Sequence, residues 1–332
     1  MAVTQKDIAK KLGLSPSLVS RVLSGRAREV AISEETIKKV TKLSEEMGYV
    51  PNIAAQSLKG IPSRTIGVMV SYFNDPFFGQ IIDTLLKHAK NLDYSVVLSG
   101  FEHSHEPTTR ELRPLLKHQL DGVIVVGSSE HADWIKSLVD NGIPIAHVGH
   151  GPADEYSSRI AIDEDKAMKQ ILEHLKENNC SRVAYLGLDS LISRTRFKGI
   201  QEHAPALGIT LAGNCTLEAD VQTGMPDVTD RLMGNTTHPD AIICTTDKTA
   251  LYLIDELKRR GLSVPKDIAV VGVDDIPFSH LFSPRLTTVR QPVAELVKLA
   301  FDAVTTQSDP QKIILPPELI VRESSLYGQN LC

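Results

Sequence analysis

Two kinds of hydrophobic pattern divide the chain. Through residues 4–48 apolar side chains recur every three or four positions, the period of a helix with one buried face. Three short helices follow from it. The first opens at Thr4, with Asp7 at capping-box spacing, carries Ile8 and Leu12 on one face, and ends at Gly13, where the turn needs a positive φ. The second has Ser15 as N-cap and Pro16 in the first helical position, where a missing N–H costs nothing. Val19, Val22 and Leu23 form its apolar stripe, and Ser24-Gly25 stops it. The third starts from Ser33, with Glu34 and Glu35 in the first turn, where the helix dipole favours acids. Ile37, Val40, Leu43 and Met47 face inward, and Gly48 closes it.

From about residue 64 the pattern changes to short apolar runs alternating with amphipathic stretches, which predicts parallel α/β layers. Residues 65–71, 95–98, 122–126, 144–148 and 159–163 read as strands of a first half. Residues 183–188, 241–245 and 268–273 read as strands of a second, similar half, with 286–291 and 313–322 extended after it. The expectation is two doubly wound lobes with a cleft between them. Ligands in such sheets bind beyond the carboxyl ends of the strands. Residues 71–78, 194–199, Thr246-Asp247, Asp274-Asp275 and Gln291 occupy those places. The first of these stretches sets Phe73 and Phe77 beside Ser71 and Asn74, and polar forks next to aromatic faces suit a small polyhydroxylated ligand. Asp247 also fits as a cap of the helix that follows it, and Phe77 and Phe78 also fit as core residues.

Within the head, Ala9, Gly13 and Val19 stand at helix-turn-helix spacing: a small residue where two helices touch, a turn, and an apolar lock. Ser15, Pro16, Ser17, Leu18 and Arg21 then occupy the start and outer face of the second helix, and Thr4 the start of the first. Hydroxyls there can reach phosphates, and an arginine can grip guanine with two hydrogen bonds. Residues 51–60 predict a further, very short helix, preceded by Pro51, capped by Asn52 and ended by Gly60. Such a helix cannot stand alone in water and needs a partner, either a second copy or DNA.

Charge separates the same two parts. The 332 residues carry a net charge of −5, which by itself argues against nucleic-acid binding. Residues 1–60 hold 10 Lys/Arg against 6 Asp/Glu, whereas the remainder holds 26 against 35. A basic head on an acidic body is the distribution of a DNA-binding module joined to something else. No apolar run approaches the roughly 18 residues of a membrane span, and the polar N-terminus has no secretory-type apolar stretch, so a cytoplasmic protein with no membrane contact is expected. Cys180, Cys215, Cys244 and Cys332 are widely spaced and form no C-x-x-C pair, which fits reduced thiols.

Catalysis finds little support. His103-Ser104-His105 has no third ligand at metal-site spacing, and no phosphate-cradling or nucleophile-elbow motif is present. Asp274 and Asp275 are adjacent at a strand end and point apart. No metal, no cofactor and no enzyme activity are expected.

The stretch from Thr4 to Gly60, with Ser15-x-x-x-Val19-Ser20-Arg21, Gly48-Tyr49-Val50-Pro51-Asn52 and Ala55-x-x-Leu58, resembles the LacI/GalR family of bacterial transcription regulators. The resemblance extends to the body, where residues 271–275 and 286–292 match the family's sensor domain. It implies an N-terminal three-helix head and hinge helix (α), followed by a two-lobed, type I periplasmic-binding-protein-like α/β domain. It also implies that paired hinge helices enter the minor groove, where a leucine matching Leu58 wedges a base step, with Asn52, Ala55 and Lys59 beside it. By matching position Ser71, Arg196, Asp247, Asp274 and Gln291 become effector-site residues. Three departures stand out. The loop over residues 25–32 is longer than usual and carries Arg26 and Arg28, Gly149 replaces a common aspartate between His147 and His150, and Thr246-Asp247 stands where many members carry Asn-Asp.

The expected organisation is therefore a DNA-binding domain at 1–49, a hinge at 50–63, and an effector-binding and dimerisation domain at 64–332. Its first lobe would take about 64–163 and 291–322, and its second about 164–290 and 323–332. The expected function is repression, with a homodimer reading a palindromic double-stranded operator under control of a small-molecule effector, a sugar or sugar derivative by preference, with a nucleoside, purine or phosphorylated metabolite left open. A solute receptor for transport, using the same two-lobed body, is the alternative.

Overall fold

The computed structural model describes residues 3–24, 27, 31–49, 62–71, 73–101, 107–127, 133–151, 155–217, 221–234, 238–306 and 309–326. The expected hinge helix with Asn52, Ala55, Leu58 and Lys59, and the loop residues Arg26 and Arg28, lie outside them.

The head consists of α1 (Gln5–Leu12), α2 (Pro16–Leu23) and α3 (Glu34–Glu46). Each starts where a side-chain oxygen answers a free backbone N–H. Thr4 and Asp7 cap reciprocally: Thr4 N donates to Asp7 Oδ2 at 2.9 Å and Asp7 N to Thr4 Oγ1 at 3.4 Å. Ser15 Oγ accepts from Leu18 N at 3.2 Å, and Ser33 Oγ from Thr36 N at 3.3 Å. Gly13, at φ 65°, makes the turn between α1 and α2 in a region where a side chain would be strained. Ile8, Ala9, Val19, Val22, Ala27 and Val40 close one buried cluster of the head's own residues.

Past the hinge, the N–H groups of Ser63 and Arg64 both donate to the Asp121 carboxylate, at 2.7 and 2.9 Å. The first lobe then runs through β1 (Thr65–Val70), α4 (Pro76–Asn91), β2 (Ser95–Gly100), α5 (Thr109–Lys117), β3 (Gly122–Val126), α6 (Asp133–Val139), β4 (Ile145–Val148) and β5 (Ser157–Ile162). The chain crosses at Asp163 into α7 (Glu164–Glu177), β6 (Arg182–Leu188), α8 (Leu191–His203), β7 (Thr210–Leu217), α9 (Val221–Met233), β8 (Ala241–Cys244), α10 (Asp247–Arg259), β9 (Ala269–Asp274) and β10 (Thr287–Arg290). It returns at Gln291 through α11 (Val293–Thr305) and β11 (Lys312–Leu315), and crosses a third time to β12 (Glu318–Ile320).

Two six-stranded sheets result, ordered β11-β5-β4-β3-β1-β2 and β12-β10-β9-β8-β6-β7. All pairs are parallel except β10 with β12. The central strands β1, β3, β8 and β9 are buried along their whole length, as strands covered by helices on both faces must be. The first lobe is incomplete without its late segment: Leu296, Val297, Ala300, Phe301 and Val304 of α11 pack with Ile66, Val68 and Ile124.

Three expectations need correction. The single extended segment at 313–322 is two strands in different sheets. Pro316-Pro317 cannot continue a ladder, and β12 turns antiparallel onto β10, with Leu319 opposite Val289. Residues 318–322 therefore follow the second lobe, and the first lobe's late segment ends at Leu315. An edge strand was also missed: β7 is only partly buried, and its Gly213-Asn214 breaks the apolar run that marks the inner strands.

Candidate DNA-reading face and interlobe cavity

On the head, Pro16, Ser17 and Arg21 are exposed along one side of α2, while Val19 and Val22 on the other side are buried. Helical spacing alone produces this division. Leu18 is half-buried against the head's core. Thr4 and Ser15 are exposed as well, but their hydroxyls already serve as helix caps. Among the described residues, none pairs with the Arg21 guanidinium. The face thus offers one unclaimed cation next to a hydroxyl.

Between the lobes lies a cavity of about 100 Å³. Ser71, Asp75, Phe77, Phe78, Gly149 and His150 line it from the first lobe. Glu164, Ser190, Ile192, Arg196, Thr246 and Asp274 line it from the second, and Gln291 at the second crossing. Of the residues anticipated, it collects Ser71, Phe77, Arg196, Asp274 and Gln291. The other three are elsewhere. Phe73 is half exposed and lies over Gly100 at the end of β2. Asn74 borders a separate surface groove with Lys248, Tyr252 and Phe282.

Asp247 is fully buried behind the cavity wall. Its Oδ2 accepts from Ile276 N at 3.0 Å and from the Ser279 hydroxyl, and its Oδ1 from the Thr288 hydroxyl. It is not the cap of α10 either; Thr246 is, accepting from Thr249 N. Asp247 ties α10 to β10 and to the segment after β9. Gly272 makes room for it, since a Cβ there would sit 2.2 Å from Asp247 Oδ1. Burial lifts the Asp247 carboxyl to about 6, against the three hydrogen bonds that favour its charge.

Arg196, on α8, is the cavity's central cation and is 3% exposed. Its Nε and Nη2 donate to Glu164 at 2.7 and 3.0 Å, and its Nη1 donates to the Thr245 carbonyl. Burial works against both charges, but each holds the other ionised. The Glu164 carboxyl stays at about 2, because the Arg196 charge outweighs burial with help from His150, 3.7 Å away. The Arg196 guanidinium is in turn raised by Glu164.

Asp274 ends β9 at φ 125° and Asp275 follows at φ 50°, both in the left-handed half of backbone space. Aspartate tolerates that region better than most residues, but two in succession need support. Arg290 and Arg322 supply it by gripping Asp275 at 2.8 and 2.6 Å. Gln291 Nε2 donates to Asp274 Oδ1 at 2.8 Å. Burial first, then the charges of Asp247 and Asp75, push the Asp274 carboxyl well above its ordinary range despite Arg196.

Glu164 escaped the sequence reading, and Asp75 and His150 stood in or beside stretches it singled out without being given a role. Glu164 immediately follows the strand that closes the first half, and Asp75 reads as the helix cap it also is, accepting from Phe77 N at 2.9 Å. His147, beside the glycine departure, turns away from the cavity, buried with its ring edge-on to Trp134.

A helix-turn-helix head ahead of a two-lobed body with a cavity at its strand ends defines a ligand-responsive, DNA-binding regulator. Residues 4–52 match the bacterial regulatory proteins of the lacI family, and residues 172–325 match the periplasmic binding protein-like domain. The chain is 30% identical over 97% of its length to the HTH-type transcriptional repressor PurR of Actinobacillus pleuropneumoniae serotype 3 (strain JL03), 98% of which is covered. It belongs to the LacI family and is a transcriptional repressor with an effector-binding domain. A lac repressor dimer bound to operator and the anti-inducer ONPF superposes with a TM-score of 0.82 at 25% identity, covering 98% of this chain and 99% of that one. The complex of the transcriptional regulator CelR with cellobiose superposes at 0.68, also at 25% identity, over 97% and 99%.

Proposed function

We propose that this repressor works in the cytoplasm as a homodimer on a palindromic operator, and that its effector is a sugar or sugar derivative bound between the lobes. The observation that carries the reading is the cavity itself, which both lobes and the second crossing build together. A ligand there changes the lobe arrangement only through different affinity for two arrangements. At about 100 Å³ the cavity is below the usual size of small-molecule pockets, so a sugar-sized ligand would favour a more open arrangement. The lobe movement would then reach the hinge through Ser63 and Arg64 on Asp121.

Polar groups set beside Phe77 and Phe78 support a sugar, as does the cellobiose held by the CelR neighbour. A purine base is the competing class. The exposed Phe278, Leu281 and Phe282 form an apolar patch of the kind a second copy covers. Thr4, Ser15, Pro16, Ser17, Leu18 and Arg21 are proposed as the contact face of each head, with Asn52, Ala55, Leu58 and Lys59 in the minor groove. Phe73, Asn74 and Asp247 lie outside the cavity lining and are not among the proposed contacts.

The experiment is selection of an operator from random duplexes by the full chain, followed by titration with salt and with candidate effectors. Enriched half-sites with two-fold symmetry, and an affinity that falls steeply with salt, are expected. Enrichment of a single asymmetric site would remove the dimer, and equal displacement by every sugar tested would remove the effector. Leu58→Ala should reduce operator bending; an unchanged bend angle removes the wedge.

A further inference from the structure

The charges around the cavity are unevenly matched. Arg196 is already satisfied by Glu164 and the Thr245 carbonyl, and His150 stands beside that same glutamate. Two further carboxylates face the cavity from opposite lobes. Asp274, 4% exposed, comes from the end of β9, and Asp75 from the start of α4. Among the described residues neither forms an ion pair. Lys248 eases the Asp75 charge only from the wall of the neighbouring groove. A third polar group is independent of these: the Ser71 hydroxyl, in a residue 9% exposed, lines the cavity and among the described residues has no hydrogen-bond partner. Buried hydroxyls are otherwise satisfied almost everywhere in folded proteins, so this one fits a hydroxyl of a ligand.

We propose that the cavity takes a polyhydroxylated ligand bearing a protonated amine, of the amino-sugar class, with its ammonium between Asp75 and Asp274 and a hydroxyl on Ser71. The proposal rests on the cavity being the effector site. An anionic ligand would meet an arginine already claimed and two unpaired carboxylates. A neutral sugar would leave the buried Asp274 with only the field of an arginine already paired to Glu164, and the half-buried Asp75 with only that of Lys248. Burial raises the Asp75 carboxyl, and burial with the fields of Asp247 and Asp75 raises that of Asp274. An ammonium within reach of both reverses that penalty. Phe77 and Phe78 give the apolar face of the ring a wall to lie on.

The test uses the full-length protein at neutral pH and follows thermal unfolding and calorimetric binding. The probes are D-glucosamine, D-galactosamine and D-mannosamine, each beside its parent hexose and its N-acetyl derivative, with hypoxanthine as the purine. At least one amine should raise the unfolding temperature with dose and bind about tenfold or more tightly than its parent and its N-acetyl form. Asp75→Asn and Asp274→Asn, which keep shape and, at 75, the helix cap, should each weaken that amine about tenfold or more. Tighter binding of a neutral sugar or of hypoxanthine overturns the proposal, and so does binding by none of the three amines. If a neutral sugar binds and Ser71→Ala weakens it, the cavity remains the effector site and only the amine is lost. If an amine binds but Ser71→Ala, D75N and D274N all leave its affinity unchanged, the site is elsewhere and both readings fall.

Discussion

Glu164 and Arg196 close on each other with both side chains buried, Oε2 lying 2.7 Å from Nε and Oε1 3.0 Å from Nη2. Glu164 is the first residue after the crossing into the second lobe, so the pair seats the cavity's arginine directly on the crossover. Removing one partner leaves the other charged and buried. Glu164→Gln should therefore cost about 3–5 kcal/mol in denaturant unfolding, and the double change Glu164→Leu with Arg196→Met should cost less than either single change. A loss within about 1 kcal/mol for E164Q, as for exposed pairs, would remove the pair from the stability of the lobe.

Acid titration should separate these carboxylates. Glu164 is held at about 2, below its ordinary 4.5, so its contribution is present above 4.5 and disappears as pH falls toward 2. Asp247, lifted to about 6 from 3.8, behaves oppositely: its contribution is complete below 3.8 and is lost as pH rises through about 6. Asp274 is raised as well and has the same sign. As pH falls through about 6 the ligand-free protein should accordingly gain from Asp247, Asp274 should add a gain of the same sign on acidification, and Asp274→Asn should gain less than the wild type. Calorimetric unfolding temperatures with parallel pH profiles for the two proteins would show that ionised Asp274 carries no penalty.

Arg21 lies on the exposed face of α2, and among the described residues no group pairs with its guanidinium. Arg21→Ala should relax preference at one base pair of each half-site by about 1–3 kcal/mol, read from the affinities of a single-substitution operator series. If binding weakens equally on every sequence and the salt slope drops by about 1, Arg21 touches phosphate instead.

Gly272 tests whether Asp247 needs its close seat on β9. An added methyl would meet Asp247 Oδ1 at 2.2 Å and its Cα at 3.1 Å, inside a wall with no slack. Gly272→Ala should destabilise the protein by about 1–3 kcal/mol as overpacking does, and pairing it with Asp247→Ala should recover part of that loss. Additive losses in denaturant unfolding would show that the two sites do not press on each other.

Much of this was legible in the chain. The caps at Thr4, Ser15 and Ser33 are local hydrogen bonds between residues three apart, which spacing alone exposes. The inner strands announce themselves because burial on both faces leaves only apolar runs. The stretches holding Ser71, Arg196, Asp274 and Gln291 could be placed because strand ends gather in one cleft, and the family resemblance picked out those residues within them. What the pattern could not carry was direction and depth. Asp247 sits one residue past Thr246 and faces the other side of the wall, a difference no composition records. Glu164 looks like an ordinary first-turn acid until Arg196, 32 positions away, is folded against it. The third crossing hides in Pro316-Pro317, which reads as an irregularity in one strand rather than a change of sheet.

The late segment has a consequence for synthesis order. The head's buried cluster draws only on residues up to about 49, so a nascent chain holds everything that cluster needs early. Neither lobe reaches that point until the end. The first waits for Phe301, Val304 and Leu315 to fill its core, and the second waits for β12 and for Ser324, whose hydroxyl donates to the Val270 carbonyl. On the ribosome, a module able to touch DNA therefore precedes by most of the chain's translation anything able to regulate it. Both halves of that regulator then become complete within about a dozen residues of one another.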